Sequence, residues 1–576
     1  MAKNFNAWPD QWPKSLNYPE QPVFKFLDHT SDRVPNRLAI IFGGMELTFS
    51  ELRNLADRFA AALVSLGLKK SDKVAIHLPN CPQFAIAYYG ILKVGAVFTP
   101  LSPLLAPKEI VYQLNDADAR VLVSLDLIYP SIAEIITETN VKHVITTSIA
   151  DCYNPVIQPL KPLSKIAVPD TMDMADLLQN NEPDVPGVEI DVFNDLAHLA
   201  YTGGTTGLSK GVMLTHYNVV ANTCQYANWF SGAQIEMQDG VPITVFPPGV
   251  DPIADRITAK DRETALVVVP WFHAMGTVGY LNNPVFGGST MVVYPRFEPQ
   301  EFLDGIQKYS ATALGGAPQL FIPLINLPDF KKYDLSGVKL VSSGAAPLAM
   351  SVLEQMLSAF SGVVCEGYGM TECTMGATAN PPERIAIRQG SVGIPVFDTE
   401  CKVVDLGTGQ DLPPGERGEI CINGPQVMQG YWNKPEETGR VLKEGWLHSG
   451  DIGYMDDDGY FYITDREKDM IIYKGYNVYP RELEEVIFSH PDVAQCAVVG
   501  KPDLEVGESP VAFVQLMAGG EITAGQLMEF TNSKIAAYKK IREVRFIDAI
   551  PVSGVGKVLK RELRDLLLRE EAQEAE

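Results

Sequence analysis

The sequence lacks the features that mark several special classes of protein. Its eight cysteines form no C-x-x-C pair and no cluster with histidine, so we expect reduced, mostly structural thiols in a cytoplasmic protein. The first residues contain no apolar core of signal-peptide length, and the last three are Glu-Ala-Glu, not a peroxisomal tripeptide. The nearest approach to a membrane span, residues 83–101, is interrupted by Lys93 and Gly95. We therefore predict a buried helix followed by a strand there, and no transmembrane helix.

Positive charge is also scarce. The chain has 47 lysines and arginines against 71 acidic residues, and the resulting net charge of −24 argues against a nucleic-acid partner. Hydrophobic residues at 46% and charged residues at 20% are typical of a globular protein. A chain of 576 residues is too long for one ordinary domain, which predicts at least two.

Local patterns alternate between strand and helix. Thr48 and Glu51 form a capping-box pattern at the start of a helix, residues 73–78 are typical of a short strand, and an apolar helix follows from Gln83. This β-α-β-α order predicts an α/β fold with parallel sheets that helices cover on both faces. Residues 231–262 are rich in Gly, Pro and Asp, which favours a surface insertion, with a hairpin as one option and no assigned chemistry.

The densest chemical signal is the segment 201–211, Tyr-Thr-Gly-Gly-Thr-Thr-Gly-Leu-Ser-Lys-Gly. Glycines allow positive φ and turn successive N–H groups toward one anion, and the hydroxyls add donors and magnesium contacts. The segment is not a Walker A loop, because Gly211 follows Lys210, and it is not the G-x-G-x-x-G of dinucleotide folds. We predict a grip for the triphosphate of ATP, with a flexible surface loop as the alternative.

Six further motifs follow this loop in a fixed order. They are Pro270-Trp271-Phe272-His273, Ser343-Gly344-Ala345-Ala346-Pro347, Glu366-Gly367-Tyr368-Gly369-Met370-Thr371-Glu372, Gly445-Trp446-Leu447-His448-Ser449-Gly450-Asp451, the run 465–480 and Pro551-Val552-Ser553-Gly554-Val555-Gly556-Lys557. Any one of them could arise by chance, whereas all of them in this order form a strong signal. Over nearly its whole length the sequence resembles the adenylate-forming acyl-CoA synthetase family, which includes insect luciferases and the adenylation domains of peptide synthetases.

The resemblance implies a fold and a division into domains. Residues 1–465 would form a large N-terminal domain of helix-covered, mostly parallel sheets with a β-barrel-like subdomain. Residues 466–468 would form a hinge centred on Lys468, and residues 469–576 a small, mobile α+β C-terminal domain. The charge-dense run at 465–469 is also typical of a solvated turn, and that alternative stays open.

An ATP site is also implied. Small residues allow the backbone to approach a flat ring, and Tyr368 offers an aromatic face to adenine, with a buried core tyrosine as the alternative. Asp451 can accept both ribose hydroxyls, and Arg466 lies beside the same ribose by resemblance. The implied ATP-binding residues are Thr202, Gly203, Gly204, Thr205, Thr206, Lys210, Gly344, Ala345, Ala346, Glu366, Gly367, Tyr368, Gly369, Asp451 and Arg466.

The chemistry brings two anions together, because a carboxylate becomes a good acyl donor only after it attacks the α-phosphorus of ATP. The catalytic residues implied by resemblance are Lys557, Thr371, Glu372 and His273, and magnesium would be held by Glu372 and Thr205. Lys557 would bridge the acyl carboxylate and the α-phosphate, which Thr371 contacts. Val555 stands where the family usually has Ser or Thr, but the glycine turn at Gly556 is kept.

The acyl pocket implied by the resemblance comprises Trp271, His273, Gly315, Gly316 and Met370. Either Trp271 or His273 would gate it, although a lone histidine is more often a satisfied core residue. Amino-acid-activating relatives place an aspartate just after the aromatic residue, whereas this chain has Phe272-His273, which disfavours an amino-acid substrate. The small and apolar residues favour an uncharged acyl group.

Two features suit coenzyme A. By resemblance, the loop Lys474-Gly475-Tyr476 would line the channel for pantetheine. Between Thr531 and Arg564 there are nine lysines and arginines against three acidic residues. This basic patch suits the phosphates of ATP or coenzyme A, with a generic cationic surface as the alternative.

We therefore predict an ATP- and Mg²⁺-dependent acid–CoA ligase for medium- or long-chain fatty acids, with ATP and coenzyme A as co-substrates. The alternatives are an aryl or branched-chain acid–CoA ligase, a luciferase-like oxygenase and a non-catalytic acyl-adenylate-binding protein. Joint retention of Lys557, Glu372 and Asp451 argues against the last, and the lack of a carrier domain argues against a peptide-synthetase module. The expected partners are small molecules, and both peripheral membrane contact and a homodimer are compatible with the sequence.

Overall fold

The structure is a computed structural model that describes residues 7–9, 12–152, 164–202, 209–245, 263–346, 348, 350–382, 387–503, 505–552 and 558–574. No helix among these residues is both long enough and apolar enough to span a bilayer. The helices are α1 (Lys25–Arg33), α2 (Phe49–Ser65), α3 (Pro82–Lys93), α4 (Pro107–Asp116), α5 (Ala133–Ile136), α6 (Met174–Asn180), α7 (His216–Trp229), α8 (Asn283–Gly287), α9 (Pro299–Lys308), α10 (Pro318–Ile325), α11 (Met350–Ala359), α12 (Pro435–Val441), α13 (Pro480–Phe488), α14 (Ala524–Asn532) and α15 (Lys560–Glu574).

The strands are numbered in chain order. They are β1 (Leu38–Phe42), β2 (Met45–Thr48), β3 (Lys73–His77), β4 (Val97–Pro100), β5 (Ala119–Leu125), β6 (His143–Thr147), β7 (Met172–Asp173), β8 (Leu196–Tyr201), β9 (Gly211–Thr215), β10 (Gln234–Gln238), β11 (Val241–Val245), β12 (Thr264–Val267), β13 (Thr290–Val293), β14 (Ala313–Gly316), β15 (Leu340–Ser343), β16 (Val363–Tyr368), β17 (Thr378–Ala379), β18 (Ile394–Pro395), β19 (Glu400–Val404), β20 (Gly418–Asn423), β21 (Gly430–Tyr431), β22 (Leu442–Lys443), β23 (Trp446–Met455), β24 (Phe461–Arg466), β25 (Ile471–Tyr473), β26 (Tyr476–Val478), β27 (Val493–Asp503), β28 (Gly507–Leu516) and β29 (Glu543–Phe546).

Two large sheets confirm the predicted parallel α/β arrangement. The first has the order β18-β17-β16-β15-β14-β12-β13-β1-β2, and the strands from β16 to β1 run parallel. The second has the order β21-β9-β8-β4-β3-β5-β6-β7, and the strands from β8 to β7 run parallel. Buried side chains from both sheets join in one large hydrophobic cluster, so the two sheets share a core.

The apolar stretch that resembled a membrane span is a core element, as predicted. Every residue of α3 is buried, and β4 follows it. Lys93, the charge that interrupts the stretch, is neutralised by Asp28 at 2.5 Å and Asp57 at 2.7 Å. The predicted capping box of α2 is also confirmed, because Thr48 and Glu51 each accept the other's backbone N–H.

Two five-stranded sheets and one two-stranded hairpin complete the described chain. The subdomain expected to be barrel-like contains a five-stranded antiparallel sheet of β19, β20, β22, β23 and β24. A C-terminal domain has its own five-stranded sheet, β26-β25-β28-β27 with β29, and its own hydrophobic clusters. Arg417, just before β20, bonds Glu482 of α13 at 2.7 Å, and Arg481 Nη1 donates to the Ile463 carbonyl at 2.6 Å. These contacts hold the C-terminal domain against the body in the orientation described.

The insertion after α7 begins as a hairpin. β10 and β11 pair antiparallel around Gly240, which has φ +78°. The rest of the insertion, residues 246–262, lies outside the described residues.

Candidate active site

A cavity of about 1600 Å³ opens at the carboxyl ends of the parallel strands of the first sheet, the edge at which ligands of open α/β sheets bind. Many of the residues predicted from the sequence lie on its wall. These are Thr202, Lys210, His273, Gly344, Ala345, Glu366, Gly367, Tyr368, Gly369, Met370, Thr371, Glu372, Arg466 and Lys468. The structure therefore brings residues from distant segments of the chain together around one cavity.

The part of the cavity bordered by Thr202, Lys210, Tyr368 and Glu372 is its polar arm. The ends of β15 and β16 form the floor of this arm. These strands are parallel neighbours, so the motif at Gly344 and the motif at Gly367 emerge side by side. Ala345 has φ +67°, a left-handed conformation that turns the chain at the cavity wall, and Ala346 follows it off the wall. A Cβ on Gly369 would lie 2.1 Å from the Met375 carbonyl oxygen, so only glycine fits there.

A tyrosine, an aspartate and an arginine form a network beside this floor. Tyr368 donates its hydroxyl hydrogen to Asp451 Oδ2 at 2.7 Å, and Arg466 Nε lies 3.0 Å from Asp451 Oδ1. Asp451 and Arg466 are directly paired on β23 and β24, which fixes this geometry. Asp451 itself is 4% exposed and lies just behind the wall. Burial raises the pKa of Tyr368 well above its usual value, so the phenol stays a hydrogen-bond donor.

Glu372 has a partner that the sequence analysis missed. The Tyr431 hydroxyl donates to Glu372 Oε1 at 2.8 Å. Lys210 Nζ lies 4.7 Å from the centre of the Tyr431 ring and 2.7 Å from Glu437 Oε2. No local pattern links these residues, which meet only because β21 pairs with β9 and brings Tyr431 to the edge of the second sheet.

Two loops with predicted roles lie outside the described residues, but their flanks border the cavity. Gly203, Gly204, Thr205 and Thr206 are in the first loop, and the described ends on the wall are Thr202 and Ser209. Lys557 is in the second loop, which is flanked on the wall by Val552 and Leu559. The flanks are anchored, since the Thr202 N–H donates to the Lys210 carbonyl at 3.0 Å and the Leu559 N–H to the Pro551 carbonyl at 2.9 Å.

The apolar arm, which is the part of the cavity bordered by Phe272 and Met275, differs in detail from the predicted acyl pocket. Trp271 does not line the cavity: it is fully buried, 5.7 Å from Phe84 between ring centres, and donates its indole N–H to the Tyr280 carbonyl. Phe272, the next residue, lies on the wall instead. Adjacent side chains of this segment point in different directions, and the motif alone did not show which one faces inward.

Gly315 and Gly316 also lie off the wall. A Cβ on Gly315 would lie 1.5 Å from the Tyr280 hydroxyl, which bonds Ser342 Oγ at 2.6 Å. Gly315 therefore makes room for Tyr280, and Tyr280 forms the wall. Tyr280 belongs to a π-helix, Met275–Asn282, whose Met275 and Gly279 also border the cavity. Such helices are frequent at functional sites.

The predicted hinge residue borders the cavity, whereas the predicted coenzyme A loop does not. Lys468 lies in a short 3₁₀ turn, Glu467–Asp469, on the cavity wall, and burial lowers its pKa. Lys474 and Gly475, with φ +51° and +81°, form the tight turn between β25 and β26, and Tyr476 is 59% exposed. Within the described structure this turn lies off the cavity wall.

The carboxyl group of Glu366 has a raised pKa, which can be tested. It is 8% exposed, and burial raises its pKa to about 7, against smaller lowering effects from Arg481 and the Leu348 N–H. As pH rises from about 4.5 to about 7, the unfolded chain ionises this carboxyl while the folded protein keeps it neutral, so folding loses stability.

Replacement of Glu366 by glutamine removes this titration. The variant's gain in free energy of unfolding over the wild type should grow between pH 5 and 7, by up to about 3 kcal/mol, and stay constant above pH 7.5. Urea unfolding of both proteins at several pH values measures it. A gain that is the same at every pH would contradict the raised pKa.

Comparisons with known proteins identify the family of the chain. Residues 27–432 match the family "AMP-binding enzyme" and residues 482–557 match "AMP-binding enzyme C-terminal domain". A long-chain-fatty-acid–CoA ligase of Bacillus subtilis (strain 168) is 37% identical over 566 residues, 96% of each chain.

Two solved structures show the same fold. An anthranilate CoA ligase, AuaEII, in complex with anthranoyl-AMP superposes with a TM-score of 0.83 at 25% identity over 96% of this chain and 98% of that one. The o-succinylbenzoate CoA synthetase MenE of Bacillus subtilis, in complex with ATP and magnesium ion, gives a TM-score of 0.75 at 26% identity over 95% and 99%. Both neighbours join a carboxylic acid to coenzyme A, as their names state.

Proposed function

The chain belongs to the AMP-binding enzyme family and is an acyl-CoA synthetase, and we propose that its substrates are medium- or long-chain fatty acids. In the first half-reaction a carboxylate oxygen attacks the α-phosphorus of ATP, which forms an acyl-adenylate and releases pyrophosphate. In the second, the thiol of coenzyme A attacks the acyl carbon, loses its proton and displaces AMP.

The length of the apolar arm is the observation that carries the fatty-acid assignment. The wall includes Leu340, the first residue of β15, as well as Gly344 just after that strand ends. Four residues of extended strand span about 13 Å. Phe272 and Met275 line this arm, and Phe230 and Ala313 border the cavity beside Leu340, so an extended alkyl chain would be buried along it. An aryl acid needs much less depth.

The polar arm suits the nucleotide. Thr202 and Lys210 would hold the pyrophosphate end, and Tyr368 would lie against adenine. Each carboxylate oxygen has two lone pairs, so Asp451 can accept the ribose hydroxyls while it keeps its bonds to Tyr368 and Arg466. Arg466 supplies a positive charge that offsets the buried carboxylate.

Magnesium fits the same arm. A carboxylate oxygen is the hard ligand that this ion prefers, and Glu372 lies on the wall near Lys210. Bound magnesium would neutralise phosphate charge as the two anions approach. Tyr431 would orient Glu372 through their 2.8 Å hydrogen bond. The predicted second ligand, Thr205, stays a proposal because it lies outside the described residues.

The C-terminal domain would supply a residue to each half-reaction. Val552 and Leu559 border the cavity, which supports a role for Lys557 between the acyl carboxylate and the α-phosphate. For coenzyme A, Tyr476 and Tyr538 are exposed and lie 5.1 Å apart between ring centres, and they would offer an aromatic surface to an adenine ring. We place the enzyme in the cytoplasm, with fatty acid reaching it from solution or through peripheral membrane contact. A homodimer is compatible with this proposal.

An acid panel tests the substrate class. With Mg²⁺, ATP and coenzyme A, acid-dependent AMP release should rise in kcat/KM by at least about 100-fold between six and twelve carbons, because six buried methylenes contribute up to about 5 kcal/mol. Benzoate and cinnamate-type acids serve as the comparison. Higher kcat/KM for aryl acids would favour the aryl alternative, and binding of acyl-adenylate without AMP turnover would favour a non-catalytic binder.

A further inference from the structure

A cysteine, a histidine and a glutamate converge on the antiparallel sheet, away from the cavity wall. Cys421 on β20 is directly paired with His448 on β23, and Glu419 points to the same face because it precedes Cys421 by two residues. The sequence showed no cluster of cysteine with histidine because 27 residues separate the two side chains. Only the pairing of the strands brings them together.

The three potential ligand atoms are close to one another. His448 Nδ1 lies 3.5 Å from Cys421 Sγ and 2.7 Å from Glu419 Oε2, and the three atoms all lie within 4.8 Å of one another. Around a tetrahedral zinc ion, metal–ligand distances of about 2.0–2.3 Å separate N from S by about 3.6 Å and N from O by about 3.4 Å. The Cys421–His448 pair already has that separation, and Glu419 needs to withdraw by less than about 1 Å.

We propose that Glu419, Cys421 and His448 bind one borderline transition-metal ion, with zinc as the natural candidate. Thiolate, imidazole and carboxylate form a ligand set that zinc accepts, whereas the thiolate disfavours magnesium and calcium. The side chains of Glu419 and His448 are 14% and 17% exposed, so an ion can enter and a water can complete the coordination. Binding releases the Cys421 thiol proton to solvent and moves the His448 Nδ1 proton to Nε2.

The proposed metal site lies next to the segment that leads to Asp451. The other oxygen of Glu419, Oε1, accepts the Gly450 N–H at 3.0 Å, and Gly450 has φ +70° in the bulge that precedes Asp451. An ion held by Glu419 and His448 would fasten both ends of this short segment. The metal would therefore stiffen the strand that presents Asp451.

Cobalt provides a direct test on the full-length, reduced, chelator-treated protein without nucleotide. Co²⁺ should bind at one equivalent and give a thiolate-to-cobalt charge-transfer band with the strong visible bands of a four-coordinate site, and zinc should displace it. Cys421→Ala should abolish the charge-transfer band, and His448→Asn should weaken binding at least tenfold. The matched control is Cys401→Ala, since Cys401 is buried on the neighbouring strand β19 and should leave the band unchanged.

Absence of a one-equivalent cobalt complex at micromolar concentration would overturn the proposal, as would a charge-transfer band that survives Cys421→Ala. Circular dichroism shows whether each variant is folded. If Cys421→Ala does not fold, X-ray absorption on the zinc-loaded wild type decides: one sulfur at about 2.3 Å with nitrogen or oxygen neighbours at about 2.0–2.2 Å supports the site. A shell without sulfur contradicts it.

Discussion

Replacement of Lys557 by alanine is expected to slow fatty-acid-dependent exchange of pyrophosphate into ATP by at least about 100-fold, ~2.7 kcal/mol of transition-state stabilisation. The reason is electrostatic: negative charge gathers where the carboxylate meets the α-phosphate, and this lysine would supply a fixed positive charge there. Val552 and Leu559, on either side of the loop, already lie on the cavity wall. Thioester formation from supplied acyl-adenylate should change by less than about threefold, ~0.7 kcal/mol.

Arg561→Ala is the matched control for that variant. Arg561 is a cation four residues further on, its side chain is 58% exposed, and it pairs only with Asp565 within α15 among the ion pairs described. Its loss should leave both half-reactions near the wild-type rate. If Lys557→Ala lowers both half-reactions equally, the lysine acts in the structure or throughout the cycle, and the adenylation role is wrong.

Lys468→Pro is expected to suppress thioester formation by at least about 100-fold, ~2.7 kcal/mol, while pyrophosphate exchange stays within about threefold of the wild type. We propose that the C-terminal domain rotates between the half-reactions, because Lys557 would block the path of the thiol. Rotation would break the Arg417–Glu482 ion pair and change the backbone conformation of the turn at Glu467–Asp469. Proline holds φ near −65°, which is within the range of a 3₁₀ turn, and it would oppose a rotation that needs a different φ at this residue.

Lys468→Ala separates the backbone effect from the loss of charge. Alanine removes the ammonium group from the cavity wall but leaves φ free, so the alanine variant should retain thioester formation far better than the proline variant. Equal losses in the two variants would assign the effect to the side chain. A proline variant that is folded but slow in both half-reactions would remove residue 468 from the role of pivot.

Much of the fold followed from local physics. The capping box at Thr48 and Glu51, the buried helix from Pro82 and the parallel order of the strands all depend on short-range patterns, and the structure confirms them. The meeting of the motifs at Gly344 and Gly367 was also predictable, because they lie at the ends of parallel strands that are neighbours.

The unpredicted contacts are those made between distant segments. Tyr431 meets Glu372, and Lys210 meets Glu437 across 227 residues, because strand pairing brings the segments together. The error at Trp271 has a different cause. Which of two adjacent aromatic residues faces the cavity depends on the backbone direction, which sequence spacing does not fix in a loop.

Fatty-acid-dependent exchange of labelled pyrophosphate into ATP, with Mg²⁺ and without coenzyme A, tests the two-step account most directly. Exchange requires that an acyl-adenylate forms reversibly before any thiol arrives. We expect exchange with dodecanoate or a longer acid, none without an acid, and AMP as the nucleotide product once coenzyme A is added. Release of ADP and phosphate, or thioester formation without any exchange, would contradict the account.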